Sequence, residues 1–79
     1  MLNHSLNELI ASIKDKRLRN YAHNIVDNYL DNCLDKKKQY YILNNMLKTL
    51  QTLRINRIDN ASYNAFYEIY LNLTSLYFS

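Results

Sequence analysis

Apolar positions recur along the chain in four blocks, each at helical spacing. In the first, Leu6, Leu9, Ile10 and Ile13 fall on one face, as three-and-four spacing places them on an amphipathic helix. The block opens on Ser5-x-x-Glu8, where hydroxyl and carboxylate each satisfy a backbone N–H of the first turn. In the second block Leu18, Ala22, Ile25, Tyr29 and Cys33 form a stripe widened by Val26 and Leu30, and Asp15 precedes it as an N-cap. Cys33 reads as a small apolar core residue. Asp27, Asp31 and Asp35 step along another face. Lys36, Lys37 and Lys38 follow, in the position where a helix C-terminus favours cations. The third block turns Leu43, Met46, Leu47, Leu50 and Leu53 inward.

Blocks two and three would make one long rod if fused. The apolar stripe shifts phase across the lysines, and so long a rod would lack a partner within the chain, so the spacing predicts a break. Ile55 and Ile58 flank a loop that carries Arg54 and Arg57. Asp59 or Asn60 then caps a last helix from about Ala61 to Tyr77. The chain has no glycine and no proline. Tight hairpins rely on glycine and helices need neither residue, so the loops fall to Asn, Asp and Lys. Asparagine can fill the left-handed C-cap role usually held by glycine. Three short connections make successive helices neighbours. The expected fold is all-α, an antiparallel up-down four-helix bundle in which residues 1–79 form a single domain.

The last block is unusual in its aromatics. Four of the eight tyrosines lie in the last 17 residues. At about 100° per residue, Tyr63, Tyr67, Tyr70 and Tyr77 fall within roughly 80° of one another. Phe66, Ile69, Leu73 and Leu76 occupy the adjoining arc, and Asn64, Glu68, Asn72 and Ser75 the opposite side. Apolar and aromatic residues together span about 200°, wider than the face one bundle hides. Two readings stay open. The tyrosines edge the core with their hydroxyls in water, or part of the stripe, with Phe78 beyond it, is a binding surface of the kind tyrosine and arginine favour.

Charge sharpens the second reading. The net charge is +3, but residues 36–57 carry six basic side chains and no acid, whereas residues 1–35 carry four basic and five acidic ones. Such a band draws anionic partners or serves as a solvated face. Lysines interleaved with Tyr40 and Tyr41 raise nucleic acid as a partner, but the basic residues are diluted along a helix whose inner face is core. Nucleic acid is therefore the weaker expectation.

Catalytic chemistry is harder to find. Phosphate-loop glycines and a His-Glu-x-x-His pair are missing. His4 and His23 stand far apart, and the single Cys33 excludes an intramolecular disulfide and fits a reducing compartment. The three sequons, at Asn3, Asn60 and Asn72, are the chance yield of twelve asparagines. The longest apolar run, Tyr40 to Leu43, is far short of a membrane span, and the N-terminus lacks the order of a signal peptide. A cytoplasmic, non-enzymatic protein without metal or cofactor is expected.

With its segments laid out, the chain resembles the immunity proteins of pediocin-like (class IIa) bacteriocins. The likeness runs from the capped "SLNELIASIKD" through "LRNYAHNIVDNYLDNCLDKKKQ" to "YYILNNMLKTLQTLRINRIDNASYNAFYEIYLNLTSL" and the aromatic ending "LYFS". It rests on patterns of residue type. The resemblance implies a cytoplasmic four-helix bundle that protects a producer cell from its own pore-forming peptide. The implied partner is the membrane component of the mannose phosphotransferase system with bacteriocin bound, recognised from the cytoplasmic side. Recognition in that family is attributed to the C-terminal half. The resemblance thus places partner binding on Arg54, Arg57, Tyr63, Tyr67, Tyr70, Tyr77 and Phe78, with peripheral contact at the inner face of the membrane. This chain is shorter than many members, and the C-terminal strap of longer ones is nearly absent, which shifts weight onto the helix face and loop. The alternative is a small helical regulator that binds nucleic acid or a cytoplasmic protein.

Overall fold

The computed structural model describes Ser5 to Ser79. Among these residues the chain forms four helices and no strand: α1 (Leu6–Ser12), α2 (Lys16–Asp31), α3 (Lys36–Ile55) and α4 (Asn60–Tyr77). Each begins on a side-chain cap that accepts a hydrogen bond from an otherwise unpaired N–H of the first turn. Ser5 and Glu8 close the reciprocal box at 3.1 and 3.0 Å. Asp15 accepts from Leu18 N (2.9 Å), Asp35 from Lys38 N (3.1 Å) and Asp59 from Ser62 N (2.9 Å).

The Asp35 cap reverses one expectation. Lys36, Lys37 and Lys38 form the first turn of α3 and do not end α2, so they sit at the helix end whose dipole disfavours cations. The predicted break is present, and α2 ends instead on Asn32, whose Nδ2 donates to Asn28 O at 2.8 Å. Arg54 likewise belongs to the last turn of α3, and only Arg57 lies in the link to α4.

That link departs from expectation in its chemistry. Asn56 keeps an ordinary φ of −80°, while Arg57 takes the left-handed φ of 58°. Ile58 N donates to Leu53 O (3.2 Å) and Arg57 N to Arg54 O (3.2 Å). These two bonds define a Schellman motif, with Leu53 and Ile58 in the positions whose apolar contact accompanies it. An arginine thus holds the position assigned above to asparagine.

One cluster gathers Leu9, Ile10 and Ile13 of α1 and its C-cap, Leu18, Ala22, Val26 and Tyr29 of α2, Ile42, Leu43, Met46 and Leu50 of α3, and Ala65, Phe66, Ile69 and Leu73 of α4. Four assignments to the core fail. Cys33 is exposed in the turn after α2, because that helix stops at Asp31 and the stripe's period stops with it. Leu30, Leu47 and Leu76 fall at the edges of their arcs and are nearly half exposed. Asn72, assigned to the solvent side of the last helix, is buried. The inner arc of α4 centres nearer to Ser62, Ala65 and Ile69 than the tyrosine stripe suggests.

Side chains fix the order in which helices meet. Lys14 N donates to Ser62 Oγ (2.9 Å), the Tyr21 and Phe66 rings stack at 6.2 Å, and Tyr29 Oη donates to Leu73 O (3.0 Å). Both partners advance together, so α2 and α4 meet start to start. Arg54 lies over Tyr63 and Lys36 over Tyr77, so α3 and α4 meet in the opposite order. The same holds for α2 and α3, where Tyr21 meets Thr49 (3.2 Å) and Gln39 Nε2 donates to Tyr29 O (3.3 Å).

Candidate functional site

The tyrosines of α4 line the flank that faces α3. Three of them stack in sequence, Tyr63 on Tyr67 at 6.5 Å and Tyr67 on Tyr70 at 6.4 Å, with planes 14° and 24° apart. Helical spacing of three and four residues brings these rings into register. Tyr63, Tyr70 and Tyr77 are half-buried against the core, whereas Tyr67 is 42% exposed. The packed helices therefore cover one edge of the ladder and leave the other to solvent.

The first end of the ladder carries the arginines. The Arg54 guanidinium sits 5.8 Å from the centre of the Tyr63 ring, within the range of a cation–π contact. Arg54, Arg57 and Tyr63 line a cleft of about 380 Å³ with Leu53, Ile58, Asn60 and Asn64. The other end is separate. Tyr77 packs edge-on against Phe78 at 5.0 Å and beside Tyr40 at 6.4 Å. Lys36 Nζ stands 4.4 Å above the Tyr77 ring and donates to its carbonyl oxygen. Phe78 is 77% exposed. The structure thus brings Arg54, Arg57 and Tyr63 together, continues through Tyr67 and Tyr70, and sets Tyr77 and Phe78 in a second cluster.

The second cluster contains residues that the sequence reading did not assign to this surface. Lys36, Lys37, Tyr40 and Tyr41 line a cleft of about 400 Å³ with Tyr77. A helical wheel of α3 carries the signal, because Lys36, Tyr40, Leu47 and Arg54 fall on one flank about 40° wide. Lys36 and Tyr40 of that flank meet Tyr77, and Arg54 meets Tyr63.

The arrangement is suited to binding. Neither cleft is lined by an acidic side chain, a histidine or the cysteine. Cys33 is exposed in its turn, and His23 Nδ1 lies 3.2 Å from Asp27 on a solvent-facing part of α2. Among the described residues no group of three or more His, Cys, Asp or Glu could hold a metal ion. His4 and the sequon at Asn3 lie outside the described residues. Two ionisations are displaced. Burial, with a smaller contribution from Tyr77, raises the Tyr29 phenol above its ordinary value, and the Ser62 backbone N–H holds the Asp59 carboxyl below its own. Among the described residues no helix is long and apolar enough to cross a membrane. No family model, curated protein or solved structure matches the chain.

Proposed function

We propose that this chain is a non-enzymatic immunity protein against a class IIa bacteriocin, acting from the cytoplasmic side. In this reading the four helices form an antiparallel up-down bundle, a topology supported by the order in which α2, α3 and α4 meet. The tyrosine flank of α4 and its arginines hold the mannose phosphotransferase membrane component with bacteriocin bound. The observation that carries the reading is the half-covered ladder of Tyr63, Tyr67 and Tyr70 beside Arg54. Rigid rings already held in place lose little entropy when a partner covers them, which is why tyrosine and arginine dominate interface hot spots.

The test is protection. Expressed in a strain sensitive to class IIa peptides, the chain restores growth against at least one of them. Tyr67→Ala removes the most exposed ring of the ladder and lowers protection at least ten-fold in peptide concentration, about the effect of one hot-spot residue, while helicity is kept. Failure to protect against every class IIa peptide tried, by a protein that is folded and expressed, removes the reading.

A second reading rests on a different observation. Tyr40 and Tyr41 are 54% and 68% exposed beside Lys36, Lys37 and Lys38, and rings next to lysines serve single-stranded nucleic acid. A gel shift with arbitrary single-stranded DNA, weakened by salt, supports that regulator. Unshifted DNA at low salt dismisses it.

A further inference from the structure

The links that join α1 to α2 and α3 to α4 are distant in sequence and adjacent in space. Backbone N–H groups of Lys14 and Asp15 both donate to Ser62 Oγ, at 2.9 and 3.4 Å. Arg17 lines a cleft of about 390 Å³ with Asn56 and Ile58. Leu53 and Ile58 are shared between that cleft and the one that holds Arg54 and Arg57. Arg17 from the start of α2, with Arg54 and Arg57 at the end of α3 and beyond it, therefore borders one apolar ridge.

Charge is gathered at this pole. Six of the chain's ten basic side chains belong to the two links and their flanks: Lys14, Lys16, Arg17, Arg19, Arg54 and Arg57. Of the seven acids only Asp15 and Asp59 do, and both carboxylates are engaged as N-caps. Arg19 is anchored through Nη1 to Ile13 O at 2.9 Å, but its charge stays in place. The rest of the chain carries four bases against five acids, so this pole holds a net +4 and the remainder −1. Between Arg54 and Arg57 in sequence, Ile55, the last residue of α3, is 77% exposed.

We infer that this pole docks on an anionic lipid bilayer, its cations over the headgroup phosphates and Ile55 in the acyl boundary. A group of four to eight Lys and Arg is enough for acidic headgroups, and an aliphatic tip among them adds apolar burial. Nucleic acid would call for free rings on which bases stack. The two rings at the rim, Tyr21 and Tyr63, are already stacked on Phe66 and Tyr67, and the exposed tip is aliphatic. The inference deepens the proposed function, on whose placement at the inner membrane face it rests. It assigns the contact to residues of both links and of the helix turns that flank them.

The experiment uses the full chain and vesicles of phosphatidylcholine with or without phosphatidylglycerol, read by co-sedimentation. Binding to the mixed vesicles alone, lost at high salt, is expected. Each cation near an anionic leaflet changes partition about five-fold, so Arg17→Gln with Arg57→Gly lowers it roughly thirty-fold. Ile55→Ser lowers it about ten-fold by removing apolar burial. Arg57→Gly relieves a left-handed conformation, so weaker binding by that variant does not report unfolding. Lys48→Gln, halfway along α3, changes partition less than about two-fold. A loss from Lys48→Gln equal to that from Arg17→Gln overturns the inference, because net charge alone would then drive binding. Equal binding to phosphatidylcholine alone, or no binding at low salt, overturns it too. Single-stranded DNA held by the same residues, with vesicles ignored, overturns it in favour of nucleic acid. Protection that survives without vesicle binding sinks the docking and keeps the immunity reading; vesicle binding without protection does the reverse.

Discussion

Arg57 occupies a backbone conformation that an arginine enters only at a cost. Its φ of 58° brings Cβ against the following carbonyl, a clash that glycine avoids. Such outliers persist where the surroundings over-determine them, and they gather at functional sites. Arg57→Gly is expected to raise stability by about 0.5–1 kcal/mol, the relieved strain less the added unfolded-state entropy. Arg57→Ala keeps Cβ and gains nothing. Urea midpoints at unchanged slope distinguish the two. At the other extreme Tyr29 is 2% exposed, and its hydroxyl donates to Leu73 O at 3.0 Å. Tyr29→Phe is expected to cost about 1 kcal/mol. Its phenol titrates above the ordinary 10.0 in the folded chain. The stability tied to that shift is full below pH 10.0 and is lost as pH rises through the folded value, because the unfolded chain ionises first. Unfolding curves at alkaline pH should therefore fall less steeply for Tyr29→Phe. Asp59 has the opposite sign. Its carboxyl is held below the ordinary 3.8, so its contribution is present above that value and is lost as pH falls through the folded one.

Seven residues are too few to stand as a helix in water, so α1 depends on what it touches. Leu9, Ile10 and Ile13 enter the common core, and the chain that follows is tied to α4 through Ser62 Oγ. Ser62→Ala leaves the N–H groups of Lys14 and Asp15 without that acceptor in a part-buried place. The expected loss is about 1–3 kcal/mol. Hydrogen exchange should show α1 opening ahead of α2 and α3, and equal protection of all helices in Ser62→Ala would contradict the tie. This element also marks the limit of what the sequence discloses. Its box and inward stripe are local patterns, and so are the caps at Asp15 and at Asp59, the latter left open against Asn60; these were legible, whereas Asp35 was read as the end of α2 and not as the cap of α3. Ser62, Gln39 and Asn72 were not legible, because each is a polar residue buried through partners on another helix or through neighbours that no periodicity encodes. Cys33 was misplaced because the end of α2 is set by which side of the turn holds the cap. Once Asp35 caps α3, the lysines must start that helix and Cys33 must leave its stripe. The tyrosine arc was legible as an excess of apolar circumference, but its position beside α3 was not, since a wheel of one helix says nothing of its neighbour.

At the scale of the molecule the two surfaces occupy different places, one where helices begin and end and one along α4. The basic pole lies where α3 ends and α4 begins, while the ladder runs along α4 from Tyr63 near the pole through Tyr67 to Tyr70, toward the separate cluster at Tyr77. With 18 residues at 1.5 Å each, α4 is about 27 Å long. A chain docked by its pole therefore keeps most of the ladder free for a membrane-embedded partner rising beside it. Orientation is the quantity that joins the two proposals, and the single cysteine makes it measurable. Cys33 lies in the turn after α2, which begins at the pole and carries the chain about 24 Å away from it over 16 residues. An environment-sensitive fluorophore on Cys33 should keep its aqueous emission when phosphatidylglycerol vesicles are added. The same probe on Ile55→Cys, in a Cys33→Ser background, should shift to the blue and be quenched by lipids brominated near the headgroup. If both probes respond alike, the molecule lies on its side, and the ladder faces lipid instead of a protein partner. A response from Cys33 alone inverts the molecule and transfers the membrane contact to Lys36, Tyr41 and Phe78. The predicted contrast follows from one arrangement: six cations in two neighbouring links and their flanks with an exposed isoleucine at one end, and an exposed thiol at the other.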